Sequence, residues 1–171
     1  MAPALVSAQG GFFSDPDRAA GDVFQILNPL AALGISVWKS DYDGSRQLGE
    51  TAGAVFVSTE VLKAAFNHTS WGTRPNGKDN AFPSGHTAGA CTGAAHAGER
   101  YGWRYGLPLY ATAAFTAYSR VDEGYHRWRD VIAGCALAYG WARVFVTRQS
   151  TVETLPFLLH DGGGLSLRAS W

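Results

Sequence analysis

The sequence from residue 83 to residue 97 reads Pro83-Ser84-Gly85-His86-Thr87-Ala88-Gly89-Ala90-Cys91-Thr92-Gly93-Ala94-Ala95-His96-Ala97. The run of small and apolar residues from Thr87 to Ala97 predicts a helix, and Ser84 is typical of the residue that caps its start. The first backbone amides of a helix have no partner within the helix, and the positive end of the helix dipole lies there too. Gly85 lets the backbone approach a ligand closely. The segment therefore predicts a helix with an anion site at its N-terminus.

A second group of polar residues follows, consisting of Ser119-Arg120, then His126 and Asp130. On a helix, His126 and Asp130 would share one face, with their side chains about 6 Å apart. The carboxylate would accept the proton of one imidazole nitrogen and leave the other nitrogen free as an acceptor or nucleophile. We expect residues 119–126 to form a loop that carries Arg120 into the site.

Together these residues suit a phosphoryl transfer that needs no metal ion. Arg74 and Arg120 offer planar guanidinium groups that match phosphate oxygens. His126 is the candidate nucleophile, and His86 is the candidate acid that protonates the leaving oxygen. Further phosphate contacts would come from the Ser84 hydroxyl and from the first amides of its helix.

Each of these residues has a less specific interpretation when it is taken alone. A lone arginine is more often a solvated surface charge, and a histidine beside an apolar run is usually structural. A serine and a glycine after a proline usually form a turn and a helix cap. The joint occurrence of the motifs, in this order and at these spacings, favours the functional interpretation.

At these residues the sequence resembles the type 2 phosphatidic acid phosphatase superfamily, which also includes vanadium haloperoxidases and glucose-6-phosphatase. The family pattern is Lys-x6-Arg-Pro, then Pro-Ser-Gly-His, then Ser-Arg-x5-His-x3-Asp. The second motif is complete at residues 83–86 and the third at residues 119–130. The resemblance implies an all-α bundle of five to six helices. It also implies a phosphatase that acts on a phosphomonoester or diphosphate, and it favours a lipid phosphate.

The first motif departs from the family pattern. Asn67 occupies the lysine position, and the nearest lysine, Lys63, stands four residues earlier. Four residues are about one helical turn, so an insertion after Lys63 would keep it on the same helix face, displaced by ~6 Å. We favour Lys63 as the phosphate-binding residue, and the alternative is that Asn67 supplies a neutral hydrogen bond.

The composition fits one helical domain. The chain has 171 residues, of which 46% are apolar and only 16% are charged, and its net charge is zero. Zero net charge argues against a nucleic-acid partner. Apolar segments predict four further helices, at Val23–Trp38, Leu48–Phe66, Leu107–Tyr118 and Val131–Val146. None has the ~20 uninterrupted apolar residues that usually span a bilayer. A buried bundle and a protein in or on a membrane both stay open.

The predicted organisation has three parts: a flexible arm over residues 1–20, a helical phosphatase domain over residues 21–150, and an extended tail over residues 151–171. Residues 1–11 contain no Lys or Arg and therefore do not resemble a complete secretory signal. In the tail, a glycine-rich turn followed by alternating apolar residues predicts a small β-hairpin or an extended arm.

The two cysteines, Cys91 and Cys135, fall in small-residue helical segments. Buried, unpaired thiols are the default expectation, and a disulfide is possible in an oxidising compartment if the two helices touch. The His, Cys and Asp residues do not have zinc-site spacing, so we expect no metal and no cofactor.

Two alternative functions stay open beside the phosphatase. In a vanadate-dependent haloperoxidase, vanadate would be the cofactor in the same pocket, whereas a phosphatase would be inhibited by vanadate. A non-catalytic phosphate- or phospholipid-binding protein would explain the displaced lysine. The family resemblance also implies a membrane partner and a bacterial-type cell envelope location, membrane-associated or periplasmic.

Overall fold

The computed structural model describes residues 16–149, 151–159 and 162–170. This part of the chain forms five helices and a two-stranded antiparallel hairpin, which confirms the predicted all-α bundle with a hairpin tail. The elements are α1 (Pro16–Trp38), α2 (Tyr42–Phe66), α3 (Gly85–Tyr101), α4 (Trp103–Asp122), α5 (Trp128–Phe145), β1 (Thr151–Leu159) and β2 (Gly162–Ser170). The hairpin pairs Thr151 with Ser170 and Leu159 with Gly162.

Helix α3 is the centre of the bundle, because it packs against all four other helices. Its small residues allow this close packing, and Ala90, Ala94 and Ala97 are completely buried. A side chain at Gly93 would overlap the backbone of Asn28 in α1. The Asn28 side chain, which is itself buried, donates hydrogen bonds to the carbonyls of Ala90 in α3 and Leu109 in α4 at 3.0 and 2.9 Å. These contacts fix the middle of α3 against α1.

A cluster of polar residues closes the C-terminal end of α3, and it is here called the Asp41–Arg100 cluster (Asp41, Arg100, Tyr101 and Thr147). Arg100 binds Asp41 through two hydrogen bonds of 2.6 and 2.7 Å, and it donates to the Thr147 carbonyl at 2.6 Å. The Tyr101 hydroxyl donates to Asp41 at 2.9 Å. The Arg100 guanidinium holds the pKa of Asp41 at about 2. This cluster joins the start of α2, the end of α3 and the chain that leaves α5.

Cys91 in α3 and Cys135 in α5 form a disulfide. The expectation of unpaired thiols is therefore wrong, and the open question of their pairing is answered. The sequence could not decide it, because the pairing depends on which faces of two separate helices meet.

Two boundaries predicted from the sequence are wrong. Ser119 and Arg120 lie in the last turns of α4 and not in a loop, which begins only after Asp122. Residues 16–20 of the predicted arm belong to α1, and residues 1–15 lie outside the described part of the chain. Among the described residues, no helix is both long enough and apolar enough to cross a membrane.

Candidate active site

A cleft of about 460 Å³, here called the phosphate cleft, opens where the N-termini of α1 and α3 meet the C-terminus of α4. It brings together four of the predicted site residues from three separate parts of the sequence. The side chains that line it are Asp22, Gln25, Ile26, Arg74, His86, Arg120, Tyr125 and His126.

His126 is held by a backbone carbonyl. Its Nδ1 atom lies 2.8 Å from the carbonyl oxygen of Ala81, which can only accept a hydrogen bond. Nδ1 therefore carries the proton, and Nε2 keeps its lone pair. Burial, reinforced by the nearby charge of Arg74, lowers the pKa of His126 to about 3. The imidazole is thus neutral near pH 7, the form that a nucleophile needs.

Asp130 has a different position from the one that the sequence predicts. His126 precedes α5 instead of lying within it, and Asp130 Oδ2 is 3.8 Å from its Nδ1. This oxygen accepts a hydrogen bond of 2.8 Å from the Arg127 amide, which caps the start of α5. The backbone carbonyl of Asp130 accepts the Ser84 amide at 2.9 Å. Asp130 therefore positions the chain around both motifs, and Ala81 fixes the imidazole tautomer.

His86 lies in the first turn of α3, and its Nε2 is 3.0 Å from Oδ1 of Asp22 in α1. Burial lowers the pKa of His86, and so does the positive charge of Arg120, whereas Asp22 raises it. Asp22 is thus the group that favours a proton on His86. The same carboxylate oxygen lies 2.8 Å from Nη1 of Arg120.

Both arginines contact Tyr125. The guanidinium carbon atoms of Arg120 and Arg74 lie 5.6 and 5.9 Å from the centre of its ring, within range of cation–π attraction. Arg74 donates a long hydrogen bond of 3.4 Å to the Asn80 carbonyl, and its buried Nε has no hydrogen-bond partner. Because a buried donor without a partner is costly, a bound anion would satisfy this group.

This set of cationic and imidazole groups at the start of a small-residue helix agrees with comparisons with known proteins. The chain matches the PAP2 superfamily over residues 47–153. The chain belongs to the PAP2 superfamily. It is 35% identical over 139 residues to the lipid A 4'-phosphatase of Helicobacter pylori (strain J99), a match that covers 75% of this chain and 68% of that relative. No solved structure matches the chain.

In this PAP2 superfamily member, Lys63 and not Asn67 lies beside the second motif. A Cβ atom at Gly85 would lie 3.3 Å from Nζ of Lys63, which also forms an ion pair with Glu60 at 2.7 Å. Asn67 ends α2, and its side chain accepts the Asn80 amide at 3.0 Å. The displaced lysine is therefore within reach of the motif from one turn earlier on the same helix.

Ser84 caps α3 in this PAP2 superfamily member. Its hydroxyl accepts the Thr87 amide at 3.4 Å and lies 3.1 Å from the Thr87 hydroxyl, and the residue is completely buried. The less specific interpretation, a helix cap, thus describes what the hydroxyl does in the structure. Its role as a phosphate ligand stays a prediction.

The sequence motifs of the PAP2 superfamily did not reveal Asp22. The sequence does contain one indication of its role, because Asp22 is the only charged residue between Arg18 and Lys39. A lone carboxylate in an otherwise apolar helix favours a buried partner. Gly21 permits that contact, since a side chain there would overlap Ser119 and Arg120.

Proposed function

We propose that this protein hydrolyses a lipid phosphate, either a phosphomonoester or a diphosphate, without a metal ion and through a phosphohistidine on His126. Membership of the PAP2 superfamily and the 35% identity to a lipid phosphatase place it among the phosphatase hydrolases. The observation that carries the proposal is the phosphate cleft itself, which is lined by two guanidinium and two imidazole groups.

The proposed first step is an attack of His126 Nε2 on phosphorus. The bond between phosphorus and the ester oxygen breaks, and the leaving oxygen takes the proton from Nε2 of His86. Arg74 and Arg120 stabilise the negative charge on the transferring phosphoryl group, assisted by Lys63, the Ser84 hydroxyl and the first amides of α3.

The proposed second step releases the enzyme. His86, now neutral, takes a proton from a water molecule whose oxygen attacks phosphorus. The bond between phosphorus and Nε2 of His126 breaks, so inorganic phosphate leaves and His86 is protonated again. The Ala81 carbonyl holds the Nδ1 proton of His126 throughout both steps.

Two observations support a location in the cell envelope at a membrane. The Cys91–Cys135 disulfide suits an oxidising compartment such as the periplasm. Apolar side chains along one face of α1, including Ile26, Leu30 and Val37, are 56–66% exposed. An exposed apolar face of this kind suits contact with lipid.

Phosphate release from a panel of lipid and soluble esters tests the proposal, with the His126→Asn variant beside wild type. We expect hydrolysis that chelators leave unchanged and vanadate inhibits, and a loss of at least about 10³-fold in the variant because the nucleophile is gone. Acid quenching with a radiolabelled ester should trap label on wild-type protein only. His68→Asn, at an exposed histidine outside the cleft, is the matched control.

Full activity of the His126→Asn variant would remove the nucleophile assignment. Vanadate-dependent oxidation of halide by peroxide, with no ester cleavage, would support the haloperoxidase alternative. Tight phosphate binding with no turnover on any ester would support the non-catalytic alternative.

A further inference from the structure

The phosphate cleft adjoins a second cavity of about 300 Å³, here called the α1–α2 groove, which lies between α1 and α2 and over α3. His86 and Gln25 line both cavities. The groove follows α3 from Gly85 to Thr92, which is about 10 Å at 1.5 Å per residue. It therefore begins at the residue proposed to protonate the leaving oxygen.

Along α2, the lining of the α1–α2 groove changes from polar to apolar, while Thr92 of α3, at the apolar end, uses its hydroxyl to donate to the Ala88 carbonyl. Lys63, Glu60 and Thr59 lie at the end near His86, because the C-terminal half of α2 faces the start of α3. Ala52 and Phe56, one to two turns earlier on α2, belong to the apolar remainder. This order of a phosphate site, a short polar segment and an apolar segment is the order of chemical groups in a lipid phosphate.

Thr59 supplies an independent observation at the polar segment. The residue is 3% exposed, and its hydroxyl has no hydrogen-bond partner. Buried threonines in helices ordinarily bond to the carbonyl four residues earlier, as Thr51 does to Gln47 at 2.7 Å. The hydroxyl of Thr59 is therefore available to a polar group of a ligand in the groove.

We propose that the α1–α2 groove binds the alcohol part of the substrate, with its polar linker at Thr59 and its hydrocarbon chain between Ala52 and Phe56. This inference rests on the proposed lipid phosphatase function and adds the binding site for the leaving group. In this arrangement the ester oxygen lies at the boundary between the cleft and the groove, beside His86.

A larger apolar cavity, the α2–α5 groove of about 870 Å³, is the obvious competitor. Its lining includes Val61, Phe82, Ala136 and Trp141, and in the described part of the chain it has no lining residue in common with the phosphate cleft. A chain attached to a phosphate in the cleft would have to leave the cleft to reach it. The lining residues that it shares with the phosphate cleft, Gln25 and His86, therefore favour the smaller groove.

Binding of methylphosphonate and octylphosphonate, measured by calorimetry on the full chain, tests the proposal without turnover. Each buried methylene is worth roughly fourfold in affinity, so wild type should bind the octyl compound at least about a hundredfold more tightly. Ala52→Leu fills the groove and should reduce that preference about tenfold or more, with methylphosphonate binding unchanged. Ala136→Leu, in the α2–α5 groove, is the matched control and should keep the wild-type preference.

Phe56→Ala is the second groove variant, and it is tolerated more easily because Phe56 is 67% exposed. It should also reduce the octyl preference. An unchanged preference in both groove variants, or a loss in Ala136→Leu instead, would overturn the proposal.

Thr59→Val tests the polar segment, because valine keeps the shape of threonine and removes its hydroxyl. A hydrogen bond contributes roughly two- to twelvefold in affinity. Wild type should favour, by about this factor, an octylphosphonate with a hydroxyl group on its second carbon over plain octylphosphonate. The variant should lose that preference, and a retained preference would remove the role of Thr59.

The outcomes separate this proposal from the proposed function. A protein that shows the octyl preference and its loss in Ala52→Leu, yet hydrolyses no ester, keeps the groove and loses the phosphatase function. A protein that hydrolyses phenyl phosphate but binds both phosphonates equally keeps the phosphatase function and loses the groove. Failure to bind either phosphonate would overturn both.

Discussion

The two ends of α3 carry two polar groups of residues that differ in how completely their hydrogen bonds are satisfied. At the C-terminal end, three nitrogens of Arg100 and both carboxylate oxygens of Asp41 are bonded. At the N-terminal end, about 21 Å away along the helix, the Arg74 side chain makes one long hydrogen bond and its Nε has no hydrogen-bond partner. Arg100, with its hydrogen bonds satisfied, contributes to stability, whereas the Arg74 guanidinium has donors available to a ligand.

Because of this difference, we expect substitutions in the Asp41–Arg100 cluster and at Arg74 in the phosphate cleft to affect different properties of the protein. The Asp41–Arg100 cluster is buried and its charges are matched, so removing one partner leaves the other buried and uncompensated. In the phosphate cleft, Arg74 is only partly buried and makes no ion pair among the described residues, so removing it affects the ligand more than the fold. Changes at the two ends should therefore separate stability from activity.

Arg100→Ala should have the largest effect on stability. We expect a loss of about 3–5 kcal/mol in the free energy of unfolding, because Asp41 would remain buried without its partner. Chemical denaturation at pH 7 measures it. Arg46→Ala, which breaks the exposed ion pair with Glu50, is the control and should cost less than about 1 kcal/mol. Equal costs for both variants would contradict the comparison.

Arg74→Ala, in contrast to Arg100→Ala, should reduce activity much more than stability. We expect kcat/KM for a phosphate ester to fall about 10²–10³-fold, since one of the two guanidinium groups proposed to bind the phosphate is lost. The melting temperature should change little, because the Arg74 side chain has only one long hydrogen bond and a cation–π contact with Tyr125 among the described residues, and its backbone hydrogen bonds remain in the variant. A fall in melting temperature comparable to that of Arg100→Ala would show that this end also maintains the fold.

His96 makes the stability of the bundle sensitive to acid. The residue is completely buried, both of its ring nitrogens lack hydrogen-bond partners, and burial lowers its pKa to about 4. The unfolded chain binds the proton near pH 6.5 and the folded chain does not, so stability should fall as the pH drops from about 6.5 to 4. The loss should be on the order of 2–3 kcal/mol.

Denaturation of His96→Leu at several pH values checks this expectation. The variant should lose a substantial part of the acid dependence, and the remainder should come from His126 and His86, whose pKa values are lowered in the same direction. An acid dependence identical to that of wild type would show that His96 is not responsible.

Asp22→Asn should have the smallest effect, and it tests how Asp22 influences His86 and Arg120 in the phosphate cleft. Without the carboxylate the pKa of His86 falls, so the alkaline limb of kcat/KM should move to lower pH. Inorganic phosphate should inhibit more strongly, because Asp22 no longer competes for Arg120. A pH profile and a phosphate inhibition constant measured for both proteins test this, and no change in either would show that Asp22 affects neither group.

Much of the fold and of the candidate site could be predicted from the sequence. The small residues from Thr87 to Ala97 and the Ser84 cap predicted helix α3, since both act locally, whereas the anion site at its N-terminus stays a prediction. The motifs also predicted that His86, His126, Arg74 and Arg120 share one cleft.

The missed features depend on contacts between distant segments. The expected bond between His126 and Asp130 required both residues to lie on one helix, but α5 begins only at Trp128. The Ala81 carbonyl, which takes that place, is a backbone atom with no sequence signature. Asp22 lies outside the motifs and reaches the cleft only through the packing of α1 on α4.

The carbonyl partner of His126 has a consequence for the range of conditions in which the protein can work. A carboxylate in the same place would lose its charge in acid and would then cease to orient the ring. An amide oxygen does not titrate in the aqueous range, so His126, the proposed nucleophile, keeps one tautomer over the whole pH range in which the ring is neutral. The acid limit of the reaction would then be set by protonation of the imidazole itself.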